Sequence, residues 1–156
     1  MGELSANEPF RVLCLGNDML ADDAFGPRVA EEVTRRYGNA LEVVCSAASG
    51  FHLLDDVLGA GRLLVVDTVM TPDGTPGRVR VLQEGQVHAW SGAAPHAYGL
   101  FDVLRNARKL GLPVPCSVTI IAVEAADCST VGGPMTPAVE QAVGTVAGMV
   151  RGICHA

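Results

Sequence analysis

The chain has 156 residues, of which 49% are apolar and 18% charged, and its formal net charge is −6. That balance suits one folded domain able to bury a core and excludes a disordered chain. The acidity offers no footprint for nucleic acid, and no apolar stretch is long enough to span a bilayer.

Residues 1–9 read as a flexible arm, and 10–156 as a single α/β domain. The opening MGELSANEPF is polar and lacks the apolar centre of a secretory signal, so a cytoplasmic protein is expected. Arg11–Leu15 is a continuous apolar run stopped by Gly16-Asn17, the signature of a strand covered on both faces. A polar loop, Asn17–Asp23, leads into a helix from about Ala24 to Tyr37. Pro27 fits its first turn and Gly38-Asn39 ends it. Leu41–Cys45 is a second strand, followed by the small-residue turn Ser46–Gly50 and a short helix over Phe51–Leu58. Arg62–Asp67 is a third strand with Asp67 at its end.

The turn-rich segment Thr71–Gly77 comes next. Arg78–Leu82 alternates polar and apolar, which predicts an edge strand with one wet face. A longer loop over 83–97 precedes a helix from Tyr98 to Leu110. Cys116–Val123 is the last buried strand, and Thr136 caps a long helix reaching Cys154, with Pro137 in its first turn. The order β-α-β-α-β-β-α-β-α predicts a mostly parallel, twisted five-stranded sheet with helices on both faces. The five cysteines, at 14, 45, 116, 128 and 154, are odd in number and form no Cys-x-x-Cys. This argues against a disulfide framework or a zinc cluster; most read as small buried hydrophobes.

Right-handed crossovers bring the strand C-termini to one edge, where open α/β sheets place their sites. That edge receives Asp22 and Asp23 from the first loop and Asp67 from the third strand. It also receives His96, if its loop folds back. Two readings stand for Asp22 and Asp23: caps of the helix that follows, or functional acids. Asp67 ends an apolar run, and a carboxylate there needs partners or a cation. Asp23, Asp67 and His96 together would form a mixed oxygen and nitrogen donor set suited to a divalent transition metal such as nickel or zinc.

These residues carry a resemblance. Gly16, Asn17, Asp22, Asp23, Gly26 and Val29 resemble the G-N-x-x-x-x-D-D/E-x-x-G-x-x-V opening of the hydrogenase maturation endopeptidases. Asp67 after Leu64-Val-Val, Pro76-Gly77, Pro95-His96-x-x-Gly99-Leu100 and Thr136-Pro137 are similar to later family motifs, in the same order. The resemblance implies a three-layer α/β/α sandwich. It implies an aspartic-type endopeptidase that removes the C-terminal extension of a [NiFe]-hydrogenase large-subunit precursor. Nickel is supplied by that substrate and met by Asp23, Asp67 and His96. Gly16, Asn17, Gly50 and Gly99 would shape the backbone around them, Asp22 is a candidate general base, and a monomer is expected.

Two departures stand out. Cys45 falls where the family carries an Asp, and Ala125-Ala126 replaces a Pro-Glu. Cys45 is then either a thiol near the site or a small buried residue. A metal-binding relative without proteolysis is one alternative. A receiver-like phospho-acceptor domain is another, although the acids of such domains lie right at the strand end and no Lys follows Ile120–Val123.

Overall fold

The computed structural model describes the backbone of residues 9–89 and 95–156, and their side chains apart from 87–89 and 95–98. The arm expected over 1–9 lies outside these residues except for Pro9. Five strands, β1 (Phe10–Leu15), β2 (Glu42–Ser46), β3 (Arg62–Val69), β4 (Val79–Gln83) and β5 (Ser117–Glu124), form one sheet in the order β2-β1-β3-β5-β4. The first three and β5 run parallel, and β4 closes one edge antiparallel to β5, with Val79 opposite Val123.

Helices α1 (Phe25–Tyr37) and α4 (Pro137–Cys154) cover one face. There Val12, Cys14, Leu64, Val66, Ile121 and Val123 pack with Val29, Val33, Val146 and Val150. Helices α2 (Leu54–Val57) and α3 (Pro95–Lys109) cover the other. Leu13, Leu15, Leu63, Val65 and Ile120 meet Leu53, Leu100 and Leu104 on that side. Side chains alternate between faces along a strand, so a strand buried on both sides must be apolar at nearly every position. That is why β1, β3 and β5 read as continuous apolar runs while the edge strand β4 does not. The result is the three-layer α/β/α sandwich expected.

Three boundaries differ from expectation in ways that matter for the site. β3 continues past Asp67 to Val69, because β5 stays in register with it as far as Glu124. Asp67 therefore lies inside the strand rather than at its end. The segment after β2 is a 3₁₀ turn over Gly50–Leu53 before the single turn of α2. The stretch expected as a loop over 83–97 contains a 3₁₀ helix, Glu84–Ala89, and α3 already begins at Pro95. A proline is tolerated in a helix's first turn because its missing N–H has no partner to lose there.

The start of α1 presses against the end of β1. A Cβ added at Gly26 would stand 2.1 Å from the Leu15 carbonyl oxygen. Gly26→Ala must therefore push α1 off the sheet, and chemical denaturation should show a loss of about 3 kcal/mol, the upper end of ordinary overpacking. A loss within experimental error would show that the close approach is not a constraint.

Candidate active site

The loop after β1 is held in shape by its own backbone. The Gly16 N–H donates to the Ser46 carbonyl at 3.1 Å, tying the loop to the end of β2. A Cβ at Gly16 would lie 2.1 Å from the Asp23 carbonyl oxygen, and its φ of 148° is one that side-chain-bearing residues rarely adopt. Asn17 accepts the Met19 N–H on its side-chain oxygen at 2.9 Å, an Asx turn. The Asn17 N–H in turn donates to Asp23 Oδ2 at 2.9 Å. Gly16 and Asn17 thus fix where the Asp23 carboxylate sits, and Asp23 is only 6% exposed.

Asp22 behaves differently from its neighbour. It caps neither the short 3₁₀ turn Ala21–Ala24 nor α1, where no side-chain cap bond forms. Its fully buried carboxylate instead reaches across to the segment between β5 and α4. Oδ2 accepts from the Ala126 N–H at 2.9 Å, the Asp127 N–H at 3.0 Å and the Thr136 hydroxyl at 2.8 Å. Oδ1 accepts from the Thr136 N–H at 2.6 Å. The Asp22 N–H donates to the Asp127 carbonyl at 2.7 Å. Thr136 does occupy the N-cap position of α4, but its hydroxyl is spent on Asp22 rather than on the helix. Ala21, just before, has φ 45°, a left-handed conformation that costs a non-glycine residue about 1 kcal/mol.

Asp67 is fully buried and accepts the Thr68 N–H at 2.8 Å. Strand alternation places it with Val65 and Val69 on the face covered by α2 and α3. Its neighbour Thr68, on the opposite face, contacts the Cys128 thiol at 3.6 Å. Burial pushes that thiol up to about 11, and the negative charges of Asp23, Asp22 and Asp67 add to the rise while the Thr68 contact opposes it. Cys14 pairs with Val66, so Asp67 stands level with the end of β1, from which the loop carrying Asp22 and Asp23 departs, at the C-terminal edge of the sheet.

His96 lies in the first turn of α3, not in a loop, and its side chain falls outside the described residues. Its helical turn is nevertheless anchored at this edge. Gly99, less than one turn further on, packs so closely that an added Cβ would meet the Gly50 nitrogen at 3.2 Å. Gly50 and Gly99 therefore shape the site by letting α3 close on the turn after β2. Among the described residues no three His, Cys, Asp or Glu side chains form a ready metal cage. The chemistry available is a dense negative edge with two buried acids, Asp23 and Asp67, near the start of α3.

Two residues here had not been singled out from sequence. Glu124, buried at the end of β5, accepts from the Thr71 hydroxyl at 2.5 Å and the Thr71 N–H at 3.2 Å, and so secures the turn after β3. The acid-after-apolar-run pattern that flagged Asp67 also fits Glu124. Cys128 carries no such signal, since only the folded loop brings it to Thr68. Among the other cysteines, all free, Cys14 and Cys154 are buried as expected, whereas Cys45 and Cys116 are exposed. Cys45 sits on the sheet's edge strand β2, where one side has no neighbouring strand to cover it. It lines a shallow groove with Asp18, Glu31 and Val43. Partial burial, then the charges of Asp18 and Glu31, push its thiol up.

Residues 27–153 match the family model of the hydrogenase maturation proteases, a span that includes Asp67 and His96. The hydrogenase 2 maturation protease of Escherichia coli is 31% identical over 116 residues, covering 72% of this chain and 70% of that one. The hydrogenase expression/formation protein HupD of Bradyrhizobium diazoefficiens is 31% identical over 137 residues, 85% of this chain and 70% of that one. Among solved structures, the hydrogenase maturating endopeptidase HybD of E. coli superposes with a TM-score of 0.79 at 28% identity, covering 93% of this chain and 91% of that one. The [NiFe] hydrogenase maturation protease HybD of Thermococcus kodakarensis shares the fold, with a TM-score of 0.76 at 17% identity and coverage of 94% and 99%.

Two outcomes follow from this geometry. Asp22→Ala strands three backbone N–H groups, so it should lower unfolding stability by roughly 3 kcal/mol, with Asp22→Asn recovering only part; equality of both variants with the wild type in urea melts would show that these bonds do not hold the loops together. Cys128 should stay protonated at pH 8 and resist iodoacetamide. Its alkylation, followed by peptide mapping, should climb as pH approaches 11. A midpoint near the ordinary thiol value would show that Cys128 is not shielded from water in this way.

Proposed function

The chain belongs to the hydrogenase maturation protease family, and on that footing we propose that it removes the C-terminal extension from a nickel-loaded [NiFe]-hydrogenase large-subunit precursor. The observation that carries the assignment to this edge is that Asp23, in the loop after β1, and Asp67, in the adjacent strand β3, are both buried at the C-terminal edge of the sheet, where α3 begins. Two carboxylates and an imidazole form a donor set that suits nickel better than magnesium.

In this reading nickel belongs to the substrate. The precursor presents it, and Asp23, Asp67 and His96 engage it. That contact positions one peptide bond of the extension, so selectivity comes from geometry instead of a side-chain pocket. The metal's charge polarises the scissile carbonyl or a water, the step that makes hydrolysis feasible at neutral pH. Proton transfer does not suit Asp22, whose two oxygens already accept four hydrogen bonds; we place it in the scaffold that holds Asp23. Cys45 stands beside Asp18 and Glu31, and we give it no part in the hydrolysis.

The work is that of a monomer in the cytoplasm, where immature metalloenzymes are assembled. No helix among the described residues is long and apolar enough to cross a membrane. The matches support the protease reading and lend nothing to a receiver-like phospho-acceptor.

Processing of a nickel-loaded precursor by Asp23→Asn, Asp67→Asn and His96→Ala, followed by the gel shift on loss of the extension, tests the site. Each should cut at least roughly 100-fold more slowly, the scale expected when a group that stabilises developing charge is removed. Cysteine substitution at position 45 offers a contrast: Cys45→Ser should process at the wild-type rate. Wild-type cleavage by all three site variants would sink the assignment.

A further inference from the structure

The site is rimmed by apolar side chains held out into solvent. Six large hydrophobic residues are exposed among the described ones: Met19, Phe51, Met70, Val81, Leu110 and Val131. Four of them share a position in the fold. Phe51 follows β2, Met19 follows β1, Met70 follows β3 and Val131 follows β5, so the segment after each of the four parallel strands displays one. These are the segments that surround Asp23 and Asp67.

The rim is built. Leu20 bridges Val131 across the two loops, and the Gly132 N–H donates to the Met19 carbonyl at 2.8 Å, so Met19 and Val131 stand together. Both loops are tied to the same Asp22 carboxylate network. Met19 is 62% exposed, Phe51 70% and Val131 72%, while the acids within the rim are 0 to 6% exposed. Four of the six exposed large apolar groups fall at one edge of the sheet, two of them side by side, and apolar groups gathered around a site mark a contact surface.

We infer that this rim is the docking surface for the folded body of the substrate, the apolar protein surface surrounding the metal-bearing segment that the acids receive. The inference rests on the proposed function and adds a second contact to it. Neighbouring strands lie about 4.8 Å apart, so the four strand ends span about 14 Å. A tail threading inward to the buried acids cannot also cover residues standing around its entrance. The surface around that tail can. Docking on apolar contacts around a charged centre holds the reacting segment in place without a sequence-reading pocket, and Phe and Met are enriched at the cores of protein interfaces.

The test is steady-state processing of the nickel-loaded precursor by the wild type, by Met19→Ser/Phe51→Ser/Met70→Ser/Val131→Ser, and by a control carrying Val81→Ser and Leu110→Ser at exposed apolar positions elsewhere. The quadruple variant should raise KM roughly tenfold or more with kcat within about twofold, and the control should leave both unchanged. Should the quadruple variant lose the wild-type melting temperature, Phe51→Ser and Val131→Ser alone should each raise KM severalfold. A wild-type KM in the rim variants, or an equal rise in the control, overturns the inference. So does a self-association by sedimentation that the rim variants abolish with KM unchanged, since the rim would then serve a second copy. Competition by a free tail peptide that the rim variants lose would likewise overturn it, by assigning the rim to the tail. Failure of the wild type to cut the precursor at all would overturn the proposed function itself, a result distinct from each of these.

Discussion

The site depends on one buried carboxylate that is not its reacting group. Asp22 takes four hydrogen bonds from Ala126, Asp127 and Thr136, far along the chain. Two loops and the start of α4 therefore hang from one side chain. A carboxylate with no solvent must be satisfied by donors from the protein, and only these loop N–H groups and the Thr136 hydroxyl supply them. The bonds also offset the strain of the left-handed Ala21 beside it. Because Asp22 is pinned, its neighbour Asp23 is pinned as well, with Asn17 fixing it from the other side.

The same arrangement explains why adjacent acids differ in role. Successive residues in a tight turn point in different directions, so Asp22 enters the seam between loops while Asp23 faces the strand ends. Asp67 reaches that place by another route, from within a strand whose neighbours on the same face are apolar. The fold thus concentrates negative charge where right-handed crossovers have already collected the loops. Burial is the main reason the Cys128 thiol is raised, and the three carboxylates add to it.

Departures from the family pattern look milder in three dimensions than in the sequence. Cys45, in place of an Asp, occupies an edge strand and keeps company with Asp18 and Glu31. The Ala125-Ala126 segment still delivers the Ala126 N–H to Asp22, a bond that requires backbone and not a particular side chain. What the loops need from those positions is main-chain geometry.

The sequence by itself determined the fold class, the strand and helix order and the edge character of β4, and it singled out Asp22, Asp23 and Asp67. Burial on two faces and on one leave different periodicities, and those are local. It also marked Gly16, Asn17, Gly50 and Gly99, though not what each approaches. Only the tertiary structure decided that β3 runs past Asp67, that His96 begins a helix, that Glu124 secures the turn after β3, and that Cys128 meets Thr68. It alone separated Asp22 from Asp23. Each of these depends on which distant segment packs against or bonds to it: β5 on β3, Gly50 against α3, Thr136 to Asp22. Such partners are chosen by the packing of the whole chain, and no window along the sequence contains both of them.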